Sequence, residues 1–229
     1  MEQHAFKVIA HMESDFSSKF GVPRQSGLVP ELRSRIVFEP EFRSVDALRG
    51  IEGFSHLWLI WQFSLAVRED GWSPTVRPPR LGGNTRMGVF ATRSPFRPNP
   101  LGLSCVKLEA VDFKTPDAPS LIVSGADLVD GTPIYDIKPY VPYADAHPEA
   151  LGGFASVRPE ALEVDIPAEL LALVPEERRE ALGGVLAQDP RPRYQNEPER
   201  VYGMGFAGLE VRFRVDGSKL TVVEISHAK

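Results

Sequence analysis

The chain has 229 residues, 42% hydrophobic and 25% charged, with a formal net charge of −5. That is the composition of an ordinary globular protein able to bury a core, in one domain or in one domain with a small appendage. The single cysteine, Cys105, excludes an internal disulfide and argues against a Cys-based metal cluster. The five histidines (His4, His11, His56, His147 and His227) show no ligand spacing, so no metal is expected.

Met1 to Phe16 lacks the apolar stretch of a signal peptide. Phe6, Val8 and Ala10 alternate with Lys7, Ile9 and His11, which predicts a first strand. Lys19 to Leu28 reads as a loop broken by Gly21, Pro23 and Gly27. Leu32 to Glu39 alternates again, and Val45 to Arg49 reads as one helical turn ended by Gly50. His56 to Leu65 is short, aromatic and β-branched, as expected of a buried strand. The longest apolar run, His56 to Val67, is too short to span a bilayer. A cytoplasmic protein without a membrane segment is the expectation.

Ser73 to Asn84 is a loop rich in proline and glycine. Strand-like segments follow at Gly88–Thr92, Ser104–Phe113, Ser120–Val129 and Pro133–Val141. Short strands at this spacing favour a barrel or sandwich over alternating βαβ units. Tyr143 to Phe154 is a polar connection. Pro175 to Gln188 is the clearest helix, with proline at its start and Glu176 and Glu177 in its first turn. Leu209–Val215 and Lys219–Ile225 flank Asp216-Gly217, a hairpin signal. The texture changes near residue 145. The expected organisation is a β domain over residues 1–145 and a small α+β domain over residues 146–229.

Charge is distributed unevenly. From Gly71 to Leu108 there is no Asp or Glu, while Arg77, Arg80, Arg86, Arg93, Arg97 and Lys107 all fall there. Six cations in that window and a chain total of −5 leave −11 for the rest. Such an asymmetry points to a local anion-binding face. Two prolines stiffen the backbone between Arg77 and Arg80, and three more punctuate Arg93 to Pro100 beside Phe96. Guanidinium forks match phosphates and carboxylates, and aromatic or guanidinium planes can stack on bases.

Other motifs carry less. Gly203-x-Gly205-x-x-Gly208 has the spacing of a dinucleotide fingerprint. The segment after it reads as a strand where that motif needs a helix N-terminus, so the match is set aside. Cys105 lies in an apolar strand-like stretch and reads as a structural thiol. His56 reads as a hydrogen-bonded structural residue, with general base as the minor alternative. Asp130-Gly131 is a turn signal. The alternative is that Asp127 and Asp130 line a site for ribose hydroxyls or a cationic ligand.

Several stretches together resemble the TrmO (TsaA-like) family of tRNA methyltransferases. They are Pro23-Arg24-Gln25, Gly53 to Trp58, Arg77 to Asn84, Met87 to Ser94, Arg97 to Gly102, Asp127 to Pro133, Asp136 to Tyr140 and Gln188 to Pro192. The resemblance covers most of the chain. It implies a mainly β fold, a single-sheeted β-barrel with a small C-terminal α+β domain, paired as a homodimer. It implies S-adenosylmethionine as cofactor and N6-methylation of threonylcarbamoyl-adenosine at position 37, in the anticodon loop of threonine tRNA. On this reading Pro23, Arg24, Gln25, Phe63, Ser64, Arg93, Leu103 and Asp127-Leu128-Val129-Asp130 line the cofactor site. Arg77, Arg80, Arg86 and Arg97 hold RNA phosphates, and no residue is assigned to the chemistry itself. Family members often carry histidine where this chain has Ser64, so any cofactor contact there differs. The alternatives are a non-catalytic barrel that binds tRNA or an adenosyl ligand, and a methyltransferase acting on a small molecule.

Overall fold

Alternation decides the architecture. In the computed structural model, which describes residues 4–65, 71–191 and 197–228, six strands close into a barrel. These are β1 (Ala10–Glu13), β2 (Arg33–Phe38), β3 (His56–Gln62), β6 (Leu101–Asp112), β7 (Ser120–Ser124) and β8 (Pro133–Pro139), in the spatial order β1-β2-β7-β6-β3-β8. All barrel pairings are antiparallel, and Ala10 opposite Ile134 closes the ring. Along β3 every second residue, Leu57, Leu59 and Trp61, is buried. The same period on neighbouring strands sends Met12, Ile36, Val106, Leu121, Val123 and Ile134 into one core.

The part of the acid-free window that precedes β6 forms a flap between β3 and β6. Thr75–Val76 (β4) pairs with Met87–Gly88 (β5), and a 3₁₀ turn at Pro79–Leu81 is followed by Gly82 and Gly83, both with φ above 70°.

The second unit is a sheet in the order β10-β11-β12-β9, comprising β9 (Glu163–Asp165), β10 (Tyr202–Phe206), β11 (Leu209–Asp216) and β12 (Lys219–His227). Helix α3 (Glu176–Ala187) buries Ala181, Leu182, Val185 and Leu186 against Phe206, Val211, Phe213 and Leu220. Pro175 precedes its first turn and Glu176 and Glu177 sit within it. Short helices α1 (Pro142–Asp145) and α2 (Ala168–Leu171) complete the elements. Phe16, Val29 and Leu32, which lie between β1 and β2, are buried in this second core rather than in the barrel. The connection between the first two barrel strands thus fastens the two units together.

Most predicted elements form, with shifted limits. The first strand starts at Ala10; Phe6 is 67% exposed, so the alternation before Ala10 reflects no buried face. Of the strand expected over Gly88–Thr92 only Gly88 is extended, as the end of β5; Val89–Ala91 is a 3₁₀ turn whose Val89 is buried. The strand expected over Ser120–Val129 ends at Ser124, where Gly125 takes φ 73°. The strand expected from His56 to Leu65 ends at Gln62 and is buried on one face only. The polar connection begins with α1, whose Asp145 Oδ2 accepts bonds from Trp58 Nε1 (3.0 Å) and the Val141 amide (2.8 Å). The late hairpin turns at Gly217-Ser218, one residue beyond the expected pair, because Asp216 pairs with Lys219.

Candidate functional site

A cleft of about 790 Å³ opens where the ends of β3 and β6 meet the loops after β1, β5 and β7. Its floor is Trp61. On the paired strand the residue opposite is Gly102, and a Cβ there would stand 2.2 Å from the indole. Only glycine lets the ring lie against β6. Phe63 packs on the same indole with centroids 4.4 Å apart.

A polar chain runs across this floor. The Trp61 Nε1–H donates to Ser104 Oγ at 2.9 Å, and Ser104 donates in turn to Asp127 Oδ1. Indole nitrogen is donor-only, so Ser104 must accept there and its own proton is directed at the carboxylate. Burial pushes the Asp127 carboxyl up to about 6, against the bonds from Ser104 and the Ser26 amide and the charge of Arg93, which favour ionisation.

The cations come from separate loops. Arg93 donates to Gln25 Oε1, and Gln25 Nε2 donates to the Arg24 carbonyl. Arg24 Nη2 reaches the Arg191 carbonyl at 3.1 Å. Arg191 is held by Asp189 through bonds of 2.8 and 3.0 Å, so the second unit props the 22–25 loop from behind. Arg97 also lines the cleft, with Nη1 on the Thr92 carbonyl at 3.2 Å.

Of the expected cofactor residues, the cleft brings together Pro23, Arg24, Gln25, Phe63, Ser64, Arg93, Leu103, Asp127 and Val129. Leu128 points the other way, into the barrel core. Asp130 stands in the turn before β8 and accepts the Ser14 amide at 2.9 Å, so it secures the chain after β1. Of the expected phosphate-holding residues only Arg97 lines the cleft; Arg77, Arg80 and Arg86 stand on the flap. Pro192, at the end of the Gln188–Pro192 stretch, lies outside the described residues.

Trp61, Ser104 and Lys19 also line the cleft or its floor and carried no motif, while Phe90, Gly102 and Thr132 fall in the resembling stretches but were given no role. Ser104 had one legible signal. It falls on the inward period of β6 between Gly102 and Val106, and a buried hydroxyl needs partners. His56 stands away from the cleft, with Nδ1 on Ser55 Oγ at 2.9 Å and its ring edge toward Tyr140. The Cys105 thiol is half-buried and pushed up by burial and by Asp145, as an inert structural thiol would be. Gly203 and Gly205 lie in β10, and Ala207-Gly208, both at positive φ, make the two-residue turn into β11. No helix follows them, so the spacing is a hairpin and not a phosphate loop.

Comparison with known proteins identifies the family and the fold. Residues 11–146 match the tRNA-methyltransferase O N-terminal domain, and residues 159–228 match the TrmO C-terminal domain. The chain belongs to the TrmO family. It is 44% identical over 226 residues to the tRNA (adenine(37)-N6)-methyltransferase of Escherichia coli strain K12, covering 94% of each chain. It is 43% identical over 218 residues to a Pseudomonas aeruginosa protein provisionally named as an S-adenosylmethionine-dependent methyltransferase, covering 92% of each. A crystal structure of TrmO from P. aeruginosa superposes with a TM-score of 0.81 at 35% identity, covering 100% of this chain and 99% of that one.

Proposed function

We propose that the cleft holds S-adenosylmethionine while an adenosine of tRNA is methylated at its mouth. The chain is a tRNA (adenine-N6)-methyltransferase: family membership over both matched regions and the names of its relatives carry that activity. The finer reading is N6-methylation of threonylcarbamoyl-adenosine at position 37 of threonine tRNA.

The observation that supports the reading most is the convergence of cations from two loops, those after β1 and β5, on an aromatic floor. The volume suits a ligand of nucleoside size. Trp61, Phe63, Phe90 and Leu103 offer apolar surface to an adenine ring, and Arg24, Arg93 and Arg97 can pair with an amino-acid carboxylate. When bound, the donor supplies an electrophilic methyl on a sulfonium. Alignment and exclusion of water fall to these side chains. Ser64, exposed at the mouth, offers a short hydroxyl.

Arg77, Arg80 and Arg86 on the flap extend the basic surface toward an RNA backbone, with Arg97 joining it to the cleft. The same reading includes a domain boundary near residue 145, a cytoplasmic setting and a homodimer with the cleft near its interface. Trp72 and Phe90, 50% and 73% exposed and stacked at 6.3 Å, supply apolar surface for such a pairing to cover.

The test is incubation with a labelled methyl donor and total tRNA, followed by nucleoside analysis. Label in N6-methylated threonylcarbamoyl-adenosine is the expected result, and Arg93→Ala is expected to weaken calorimetric binding of the demethylated cofactor. Binding of both ligands without turnover would instead favour a non-catalytic barrel.

A further inference from the structure

The exocyclic nitrogen of an adenosine is a poor nucleophile. Its lone pair is delocalised into the purine, and in the carbamoylated base into a neighbouring carbonyl as well. Methylation also leaves a proton to be disposed of, and a positioned base that takes it during the transfer accelerates such a step by about 10²–10⁴-fold.

The cleft offers little choice of base. Its described lining contains Lys19, Arg24, Arg93 and Arg97, which are cationic at neutral pH, and the amides Gln25 and Asn99. Ser64, Thr92 and Thr132 bring hydroxyls. No histidine, glutamate, cysteine or tyrosine is among these residues, and Asp127 is the single carboxylate. It is also the one side chain there on which a built hydrogen-bond chain ends, since Trp61 orients Ser104 and Ser104 donates to Asp127 Oδ1.

Resting on the reading of the cleft as the methyl-transfer site, we infer that Asp127 is the general base that takes the N6 proton. The nitrogen gives its N–H proton to the carboxylate as it forms its bond to the methyl carbon. The sulfur–methyl bond breaks, and the donor leaves as a neutral thioether. One positive charge on sulfur and one negative charge on Asp127 are lost together, so the step balances. Ser104 is a positioning residue in this account.

The surroundings suit the role. Ser104 from β6, the Ser26 amide from the loop after β1 and the charge of Arg93 all favour the carboxylate over the acid, while burial opposes them. The result is a group ionised at neutral pH yet still basic, which is what proton transfer near pH 7 requires. The charged groups that share the cleft with Asp127 are Lys19, Arg24, Arg93 and Arg97.

The experiment measures single-turnover methyl transfer to an anticodon-arm RNA carrying threonylcarbamoyl-adenosine at position 37, from pH 5 to 8.5, for the wild type, Asp127→Asn and Ser104→Ala. Calorimetry of the demethylated cofactor runs in parallel. For the wild type, the rate is expected to climb about tenfold per unit below pH 6 and then level off. Asp127→Asn is expected to be pH-independent and at least about 100-fold slower, with ligand affinity within about threefold of wild type. Ser104→Ala is expected to move the midpoint upward, because it removes a bond that favours the carboxylate; a change in shape alone would not do this. Loss of ligand affinity in step with rate would make Asp127 a cofactor ligand and overturn the inference. So would an Asp127→Asn rate within tenfold of wild type, or an unchanged pH profile. A wild-type protein that transfers no methyl group at any pH would remove the activity reading, and this inference with it.

Discussion

Asp127 sits where stability and reactivity pull apart. An unfolded chain ionises an aspartate near pH 3.9, whereas burial holds this one up to about 6. Between those values the unfolded chain has released the proton and the fold has kept it, so the group's contribution to stability declines as pH rises. Above pH 6 a deficit of about 3 kcal/mol remains, at 1.36 kcal/mol per unit of displacement. Asp127→Asn removes the titration. The melting temperature of the variant minus that of the wild type is therefore expected to grow between about pH 4 and 6 and to stay constant above. A difference that does not change with pH would show that the carboxyl is not held in a desolvated site. A variant that loses activity while gaining relative stability is the signature of a group kept for chemistry.

At the scale of elements, β3 and β6 build the floor by their register. Trp61 faces Gly102, and the indole lies where a side chain on β6 would stand. Gly102→Ala must displace the ring, at about 1–3 kcal/mol for overpacking. The displacement also breaks the Trp61–Ser104 bond that orients Asp127. A lower melting temperature together with weaker binding of the demethylated cofactor is the expected pair of outcomes. Unaltered affinity would show that the indole is not part of the binding floor. The loop after β1 is braced from both sides: Arg24 reaches the Arg191 carbonyl beyond α3, while Gln25 meets Arg93 from the loop after β5. Phe16, Val29 and Leu32 anchor the ends of that loop in the second core.

The whole molecule carries an acid-free stretch with six cations on a chain of net charge −5. Cations of the flap that neutralise RNA phosphates release counterions, so affinity for an anticodon arm is expected to fall with salt, with a log–log slope of about −0.7 per single-strand contact. Arg80→Ala is expected to reduce that slope and to weaken different tRNAs alike, since phosphate contacts position without reading sequence. Salt-independent binding would remove the flap as the RNA surface. Pairing of two copies belongs to the same scale. Sedimentation at micromolar concentration is expected to give about twice the 25.4 kDa of one chain, and a monomer that still turns over would exclude a shared site.

Local pattern was enough for the strands of the barrel, for α3 between its proline and Gln188, and for the late hairpin. Each rests on periodicity and turn chemistry over a few neighbouring residues. The acid-free window and its paired Arg-Pro segments were equally plain, because charge is counted along the chain. Tertiary structure decided what periodicity cannot encode. Asp127 and Leu128 are adjacent, yet closure of the ring turns one to the cleft and the other to the core. Ser104 meets Asp127 across 23 residues, and Arg24 meets Arg191 across 167. The sequence by itself determined the family, the β character and the acid-free, cation-rich window. The barrel's register and the docking of the second unit decided which residues share the cleft, because such contacts depend on how distant strands align and not on what stands beside them.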